Sequence, residues 1–135
     1  MMPFVLDNSV VSGWYLENQA SAYTDSIAER LQADRAWVPS VWELELVNVL
    51  RNACIRQRMT AEAAHRVVAH VMSLPIEVER QPGPPSEILG LSLRFGLTAY
   101  DASYLALALR LQIGVATVDE ALRAAARAAG VGVVG

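Results

Sequence analysis

Residues 97–109 read LTAYDASYLALAL, and this stretch contains one charged side chain, Asp101. The residues after Asp101 are apolar apart from one serine, as expected for a helix that is buried in a protein core. Thr98 is a suitable N-cap for this helix, which we expect to end before Gly114. A buried carboxylate is costly unless it is paired, hydrogen-bonded or bound to a metal. The stretch therefore predicts a core helix whose first turn holds an acid in need of a partner.

Strand-like and helix-like segments alternate on both sides of this helix. Strands are predicted at residues 3–10, 36–40, 75–79, 114–118 and 131–134, and the other helices at 22–33, 41–57, 60–74, 84–95 and 120–129. Alternation of this kind is typical of a mostly parallel sheet with helices on both faces. The predicted strands are nearly continuous apolar runs, as a sheet buried on both faces requires. The fold class predicted from the pattern is α/β.

Several residues mark where the predicted helices begin and end. Ser40 is a plausible N-cap, and Glu43 three residues later completes a capping box. Thr60 opens the next helix, and Gly96 stops the helix that begins at the prolines 84 and 85.

The composition fits one compact domain over residues 1–135, with 53% hydrophobic and 19% charged residues. No apolar run approaches the roughly 18 residues of a membrane helix, and the first residues lack the basic region of a signal peptide. We therefore expect a cytoplasmic protein that does not enter a membrane. The net charge of −3 gives no bulk attraction to nucleic acid. All 11 basic residues are arginine, which suits either a compositional bias or bidentate phosphate contacts.

Two acids follow predicted strands directly. Asp7 ends the apolar run of the first strand, and Asp119 follows the fourth, with Thr117 two residues earlier on the same face. Ligands of open parallel sheets bind beyond the carboxyl ends of the strands. A turn or cap explains Asp7 equally well, and an N-cap of the last helix is the simpler explanation of Asp119.

Glu45 lies inside the helix predicted at 41–57, where no cap explains it. At about 100° per residue, Glu45, Asn48 and Asn52 share one narrow face of a mostly apolar helix. This pattern favours an internal polar site over a solvated stripe, because buried charges need partners.

Asp101 fits a capping box with Thr98. Its carboxylate, in the first turn of the helix, also interacts favourably with the helix dipole. Neither role excludes metal binding. If all four acids converge, their mutual repulsion calls for a cation, and Mg²⁺ or Mn²⁺ suits oxygen ligands and retained water. The sequence shows no His/Cys cluster for zinc, phosphate-binding glycine loop or Ser-His-Asp arrangement.

Four segments together resemble PIN-domain proteins, in particular VapC-type toxins of bacterial toxin–antitoxin pairs. They read FVLDNSV (4–10), VPSVWELELVNVL (38–50), LTAYDASYLALAL (97–109) and VATVDEAL (115–122), in the order of the family. By similarity, the family's four acids match Asp7, Glu45, Asp101 and Asp119. The residues that accompany them match Ser9, Asn48 and Thr117.

The resemblance implies a three-layer α/β/α sandwich with a mostly parallel central sheet. It also implies an endoribonuclease that uses Mg²⁺ or Mn²⁺, with all four acids catalytic and metal-binding. Asp7, Asp101 and Glu45 would hold the metal, and Asp119 a second ion or a water. The family cleaves RNA to 5′-phosphate and 3′-hydroxyl ends, forms homodimers, and is inhibited by a VapB-type antitoxin through which operator DNA is bound.

Other functions remain open at the level of the sequence. A PIN-like nuclease of RNA processing, without an antitoxin, fits the same motifs. A phosphoryl-acceptor domain also places an Asp after its first strand, but such domains normally use a lysine, and this chain has none. A non-catalytic interaction module would use the long helices as a partner groove and the acids as caps.

Overall fold

The computed structural model describes residues 2–81 and 83–135, in which strands and helices alternate. The strands are β1 (Phe4–Leu6), β2 (Ala36–Pro39), β3 (Ile76–Glu79) and β4 (Gly114–Ala116). The helices are α1 (Asn8–Tyr15), α2 (Ala22–Arg30), α3 (Val41–Ile55), α4 (Ala61–Met72), α5 (Pro85–Phe95), α6 (Ala99–Leu111) and α7 (Glu120–Ala128). A short 3₁₀ helix (Glu17–Gln19) joins α1 to the start of α2.

The four strands form one parallel sheet in the order β3-β2-β1-β4. The chain moves outward from β1 through β2 to β3 and then returns to β4 on the far side of β1. The strand order therefore reverses between β1 and β4, which is where open parallel sheets bind ligands. The predicted α/β fold with a parallel sheet is confirmed.

Helices cover both faces of the sheet. The contacts between helices join α1–α4 into one group and α5–α7 into another, as expected if right-handed crossovers place the two groups on opposite faces. Helix α6 packs on β1, β2 and β4, while α1 packs on α2 and α3. The side chains of β1 and residues 104–108 of α6 are buried, so the apolar run behind Asp101 is a core helix as predicted.

Most predicted helix ends are confirmed. Thr60 accepts a hydrogen bond from the N–H of Ala63, and Thr98 accepts one from Asp101. Gly96 ends α5 in the left-handed conformation with φ 66°, which glycine adopts without steric cost.

The predicted first strand is wrong beyond Leu6. Residues 8–10 begin α1 instead of continuing the strand. Val10 and Val11 are β-branched, which favours a strand locally, but both are fully buried on the helix. Packing of α1 against α2 and α3 therefore overrides the local preference.

Two further predictions need correction. Ser40 has helical dihedrals (φ −61°, ψ −27°) and makes no capping hydrogen bond, so the box with Glu43 does not form. Glu43 accepts two hydrogen bonds from the guanidinium of Arg80 instead. Residues 131–134 add only an isolated bridge, Val133 beside Val115, and do not form the predicted fifth strand. None of the helices in residues 2–81 and 83–135 has the length and apolar character to cross a bilayer.

Candidate active site at the carboxyl edge of the sheet

The ends of β1 and β4 bring two of the predicted acids to one edge of the sheet. Leu6 pairs with Ala116, and the N–H of Asp7 donates to the carbonyl of Ala116 at 3.0 Å. Asp7 thus begins where β1 ends, beside the segment that carries Thr117 and Asp119. Both strand ends lie at the reversal of strand order. The predicted fourth strand is wrong beyond Ala116, so Thr117 and Asp119 follow β4 in a loop.

Asp7 is a buried carboxylate held by two hydroxyl groups. Its side chain is 4% exposed, and its Oδ2 accepts hydrogen bonds of 2.7 Å from both Ser9 and Thr117. Burial raises the pKa of Asp7, and the charge of Asp119 adds to this, while the two hydroxyl bonds oppose it. Asp7 occupies the N-cap position of α1 without capping it, so the capping alternative is wrong for the side chain.

The same two hydroxyls also fix the backbone after β4. Thr117 Oγ1 accepts a hydrogen bond from the N–H of Asp119 at 3.0 Å, and Ser9 Oγ accepts one from the N–H of Val118 at 3.1 Å. Each hydroxyl therefore donates to Asp7 and accepts from the β4 segment, which sets the distance between the two acids.

Glu45 reaches this edge from α3. Its Oε1 accepts a hydrogen bond of 2.6 Å from the hydroxyl of Tyr104, which is fully buried on α6. Burial raises the pKa of Glu45; the Tyr104 bond opposes the rise, and the charge of Asp7 adds to it. Burial, Asp7 and Glu45 raise the pKa of Tyr104, so its hydroxyl stays protonated and remains a donor.

The predicted internal polar stripe on α3 is correct for Glu45 alone. Asn48 is exposed and Asn52 is half-buried, with its side-chain oxygen accepting from Arg51. Asn48 lies one turn from Glu45 at the rim of the site and makes no hydrogen bond to the other described side chains. Its supporting role stays a prediction.

Asp101 lies in the first turn of α6, at the same edge. Its pKa is raised to about 6 by burial and then by the charges of Asp119, Asp7 and Glu45. These charges act on Asp101 from three other segments of the chain. The structure therefore places the four predicted acids in one electrostatic environment.

Asp119 caps the last helix as well as facing Asp101. Its Oδ1 accepts a hydrogen bond of 2.9 Å from the N–H of Ala121, which confirms the predicted N-cap. The capping oxygen fixes the carboxylate at the edge of the site. Capping and an electrostatic role coexist here.

Three neighbouring residues were not predicted from the sequence. Tyr104 follows Asp101 by three residues, a spacing that places both on one side of α6. Arg123 donates to the carbonyl of Thr117 at 2.7 Å, four residues after Asp119. Asn8 is buried beside Asp7, and its Oδ1 has no hydrogen-bond partner in the described part of the chain. Helical spacing is the signal that could have revealed the first two.

The chemistry of the donors fits a hard divalent cation. All four acids supply oxygen ligands. The negative charges of Asp119, Asp7 and Glu45 raise the pKa of Asp101, and a bound cation would neutralise them. Over residues 2–81 and 83–135, however, no three acid, His or Cys side chains are close enough to hold an ion as they stand. Like charges separate when no cation lies between them, and Mg²⁺-type ions keep several water ligands. The residues that could hold the ion are Asp7, Glu45, Asp101 and Asp119.

Fold and site together define a class: parallel α/β domains with several carboxylates at the edge where the strand order reverses. The chain belongs to the PIN domain family, whose model matches residues 4–128. It is 31% identical to Ribonuclease VapC12 of Mycobacterium tuberculosis over 115 residues, which cover 85% of each chain.

Solved structures show the same fold. PAE2754 from Pyrobaculum aerophilum matches with a TM-score of 0.70 and 25% identity, over 92% of this chain and 84% of that one. FitAcB from Neisseria gonorrhoeae matches with a TM-score of 0.60 and 18% identity, over 99% of this chain and 97% of that one. The second likeness concerns the fold alone.

Proposed function

We propose that this protein is a Mg²⁺- or Mn²⁺-dependent endoribonuclease and the toxin of a VapBC-type pair. The observation that carries the proposal is the geometry at the carboxyl edge of the sheet. Asp7 lies there beside the segment that carries Asp119, held by the hydroxyls of Ser9 and Thr117. The charges of Asp119, Asp7 and Glu45 act on Asp101 at the same edge and help to raise its pKa to about 6. Such a cluster at a ligand-binding edge is a candidate metal site. Membership of the PIN family and the likeness to a ribonuclease support RNA as the substrate class.

Each acid has a role that follows from its surroundings. Asp7, held rigidly by two hydroxyls, and Asp101 bind the cation, and Glu45 binds it directly or through water. Asp119 orients the attacking water or helps to hold a second ion. When bound, the divalent cation makes water a stronger acid and neutralises charge on the phosphate.

The surrounding residues keep this site in order. Ser9 and Thr117 fix Asp7, and Tyr104 donates to Glu45 so that its carboxylate points into the site. Attack in line with the leaving 3′ oxygen would give 5′-phosphate and 3′-hydroxyl ends. Because the acids supply the cation site, the net charge of −3 does not oppose catalysis.

The proposal extends to partners and place of action. We expect one PIN-like unit over residues 1–135 that forms a homodimer and binds a VapB-type antitoxin. The antitoxin would inhibit the nuclease and carry the binding of operator DNA. The protein would act in the cytoplasm, where its RNA substrate is.

The test is RNA cleavage by Asp7→Asn and Asp101→Asn variants. Each should lower metal-dependent cleavage by more than about 100-fold, since the loss of even an outer partner of a metal ligand costs about 10- to 100-fold. The matched control is Asp25→Asn, which changes an exposed acid of α2 and should leave cleavage unchanged.

Circular dichroism must show that the variants are folded. Full activity in both site variants would overturn the proposal, as would cleavage by the wild type that persists in excess chelator. Sequencing of the cleaved ends distinguishes hydrolysis that leaves a 5′-phosphate from other routes.

A further inference from the structure

A second polar region lies away from the acids, where the end of α3 meets the turn after α1. A cleft of about 150 Å³ is lined there by Asn18, Asn52, Arg56 and Arg58, with apolar neighbours. Within residues 2–81 and 83–135, no acidic side chain lines it. A wider depression of about 710 Å³ adjoins it and shares Arg58, with Tyr15 and Glu17 on its other side.

The two arginines of this cleft carry uncompensated charge. Arg56 and Arg58 are exposed, and neither forms a salt bridge with another residue among 2–81 and 83–135. Arg66 and Arg80, by contrast, pair with Glu62 and Glu43. Other arginines of the described residues also lack a salt bridge, but Arg56 and Arg58 share one cleft that no acidic side chain lines.

Stabilisation of the helix explains only one of the two arginines. Arg56 is the C-cap of α3, where a positive charge interacts favourably with the helix dipole. Arg58 lies beyond the helix, after Gln57 has turned the chain with a φ of 59°. Stabilisation of α3 therefore does not account for Arg58, and its position in the cleft with Arg56 suits an anionic ligand.

The cleft and Glu45 lie along the same face of α3. At about 100° per residue, Glu45, Asn52 and Arg56 fall within about 20° of one line along α3. The rise of about 1.5 Å per residue puts Arg56 about 16 Å along the axis from Glu45. That distance is too long for Arg56 to touch a group that reacts at the acids, but an extended polyanion could contact both places.

We propose that Arg56 and Arg58, with Asn18 and Asn52, bind backbone phosphates of single-stranded RNA that runs along α3 into the acid site. This inference rests on the proposed nuclease function and adds a substrate-binding site to it. Arginine suits phosphate because its planar fork donates two hydrogen bonds at once. Tyr15 lines the adjoining depression together with Arg58, and a cationic groove with aromatic side chains is typical of single-strand binding.

The test is the binding of a short, unstructured, fluorescein-labelled RNA by fluorescence anisotropy. All proteins carry Asp101→Asn, so that the RNA stays intact, and binding is titrated at several salt concentrations. The double variant Arg56→Gln/Arg58→Gln should bind several-fold more weakly. The slope of log K against log salt should become shallower by about 1.4, which is about 0.7 for each of two phosphates that the variant leaves without a cationic partner.

Two variants serve as controls. Arg94→Gln/Arg127→Gln removes the same charge from exposed positions on the opposite layer and should leave the slope unchanged. Arg56→Lys/Arg58→Lys keeps the charge and should keep most of the slope. Thermal unfolding of each variant checks that α3 is intact.

An unchanged affinity and slope in the Arg56→Gln/Arg58→Gln variant would overturn the inference. The inference would also be overturned if this variant bound RNA normally but no longer bound a co-expressed acidic protein. The cleft would then be the binding site of that protein. If the arginines bind RNA in this assay but the protein with Asp101 intact does not cleave it, the nuclease proposal alone is refuted. A nuclease with unchanged RNA binding in the double variant would refute the phosphate site alone.

Discussion

At the scale of single residues, the buried hydroxyl of Thr117 joins Asp7 to the segment after β4. It donates to Asp7 and accepts from the N–H of Asp119. Thr117→Val keeps the shape but leaves the carboxylate of Asp7 with one donor fewer. We expect a decrease of about 1–3 kcal/mol in the free energy of unfolding, measured by urea denaturation.

Thr117→Ser is the matched control for this change. It restores the hydroxyl without the methyl group, so it should recover most of the stability and nearly all of the RNA cleavage. If Thr117→Val unfolds at the same urea concentration as the wild type, the hydroxyl does not hold Asp7 as the structure indicates.

The titration of Asp101 predicts how stability changes with pH in metal-free protein. Its pKa of about 6 lies above the ordinary value of 3.8, so the folded protein holds a proton that the unfolded chain has released. The contribution of Asp101 to stability is therefore largest below about pH 4 and is lost as the pH rises through about 6. The pKa shifts of Asp7 and Glu45 have the same sign.

Urea denaturation in excess chelator at several pH values measures this effect. Asp101→Asn should be more stable than the wild type at neutral pH and should lose less stability between pH 4 and pH 7. Asp25→Asn, on the exposed side of α2, should leave the pH dependence unchanged. An Asp101→Asn protein with the full pH dependence of the wild type would contradict the prediction.

At the scale of elements, α1 depends on close packing that only a glycine allows. A Cβ atom at Gly13 would lie 2.5 Å from Cγ2 of Thr24 on α2 and 2.9 Å from the carbonyl of Gln19. Gly13→Ala should therefore cost about 1–3 kcal/mol by overpacking, read from the free energy of unfolding.

Gly90→Ala is the control within another helix. Nothing lies within 4 Å of a Cβ atom at Gly90 in α5, so the same change should stabilise the protein by about 0.5–1 kcal/mol. Equal effects of the two substitutions would show that α1 does not pack on α2 as described.

The sequence predicted most elements but not α1, for a physical reason. Thr60, Gly96 and Thr98 act within a few residues of the chain, so their capping roles could be identified from local pattern. The turn at Asp7 gives no comparable signal, because its side chain bonds to Thr117 rather than to the start of α1. Ser40 matched a cap pattern that the tertiary structure does not use.

At the scale of the whole molecule, the four acids come from four separate parts of the fold, which are the end of β1, α3, α6 and the segment after β4. A cation that binds them should stabilise the folded protein by about 2.7 kcal/mol at a concentration of 100 times Kd. We expect Mg²⁺ or Mn²⁺ to raise Tm in differential scanning fluorimetry. Sodium chloride at equal ionic strength should raise it less.

Asp101→Asn separates binding from charge screening in this experiment. The variant should start from a higher metal-free Tm and gain little from the divalent ion, because one ligand and one repulsive charge are gone together. An equal gain in Tm for the variant and the wild type would place the cation elsewhere.

The sequence by itself determined the parallel α/β fold, because apolar strands alternate with helices along the chain. Local pattern left capping roles open for Asp7, Asp101 and Asp119, and the resemblance to PIN domains predicted the set of four acids. The tertiary structure alone decided how the acids are held. The bonds from Tyr104 to Glu45 and from Thr117 to Asp7 join residues 59 and 110 positions apart. Contacts at such separations depend on how helices pack across the sheet, which no local pattern specifies.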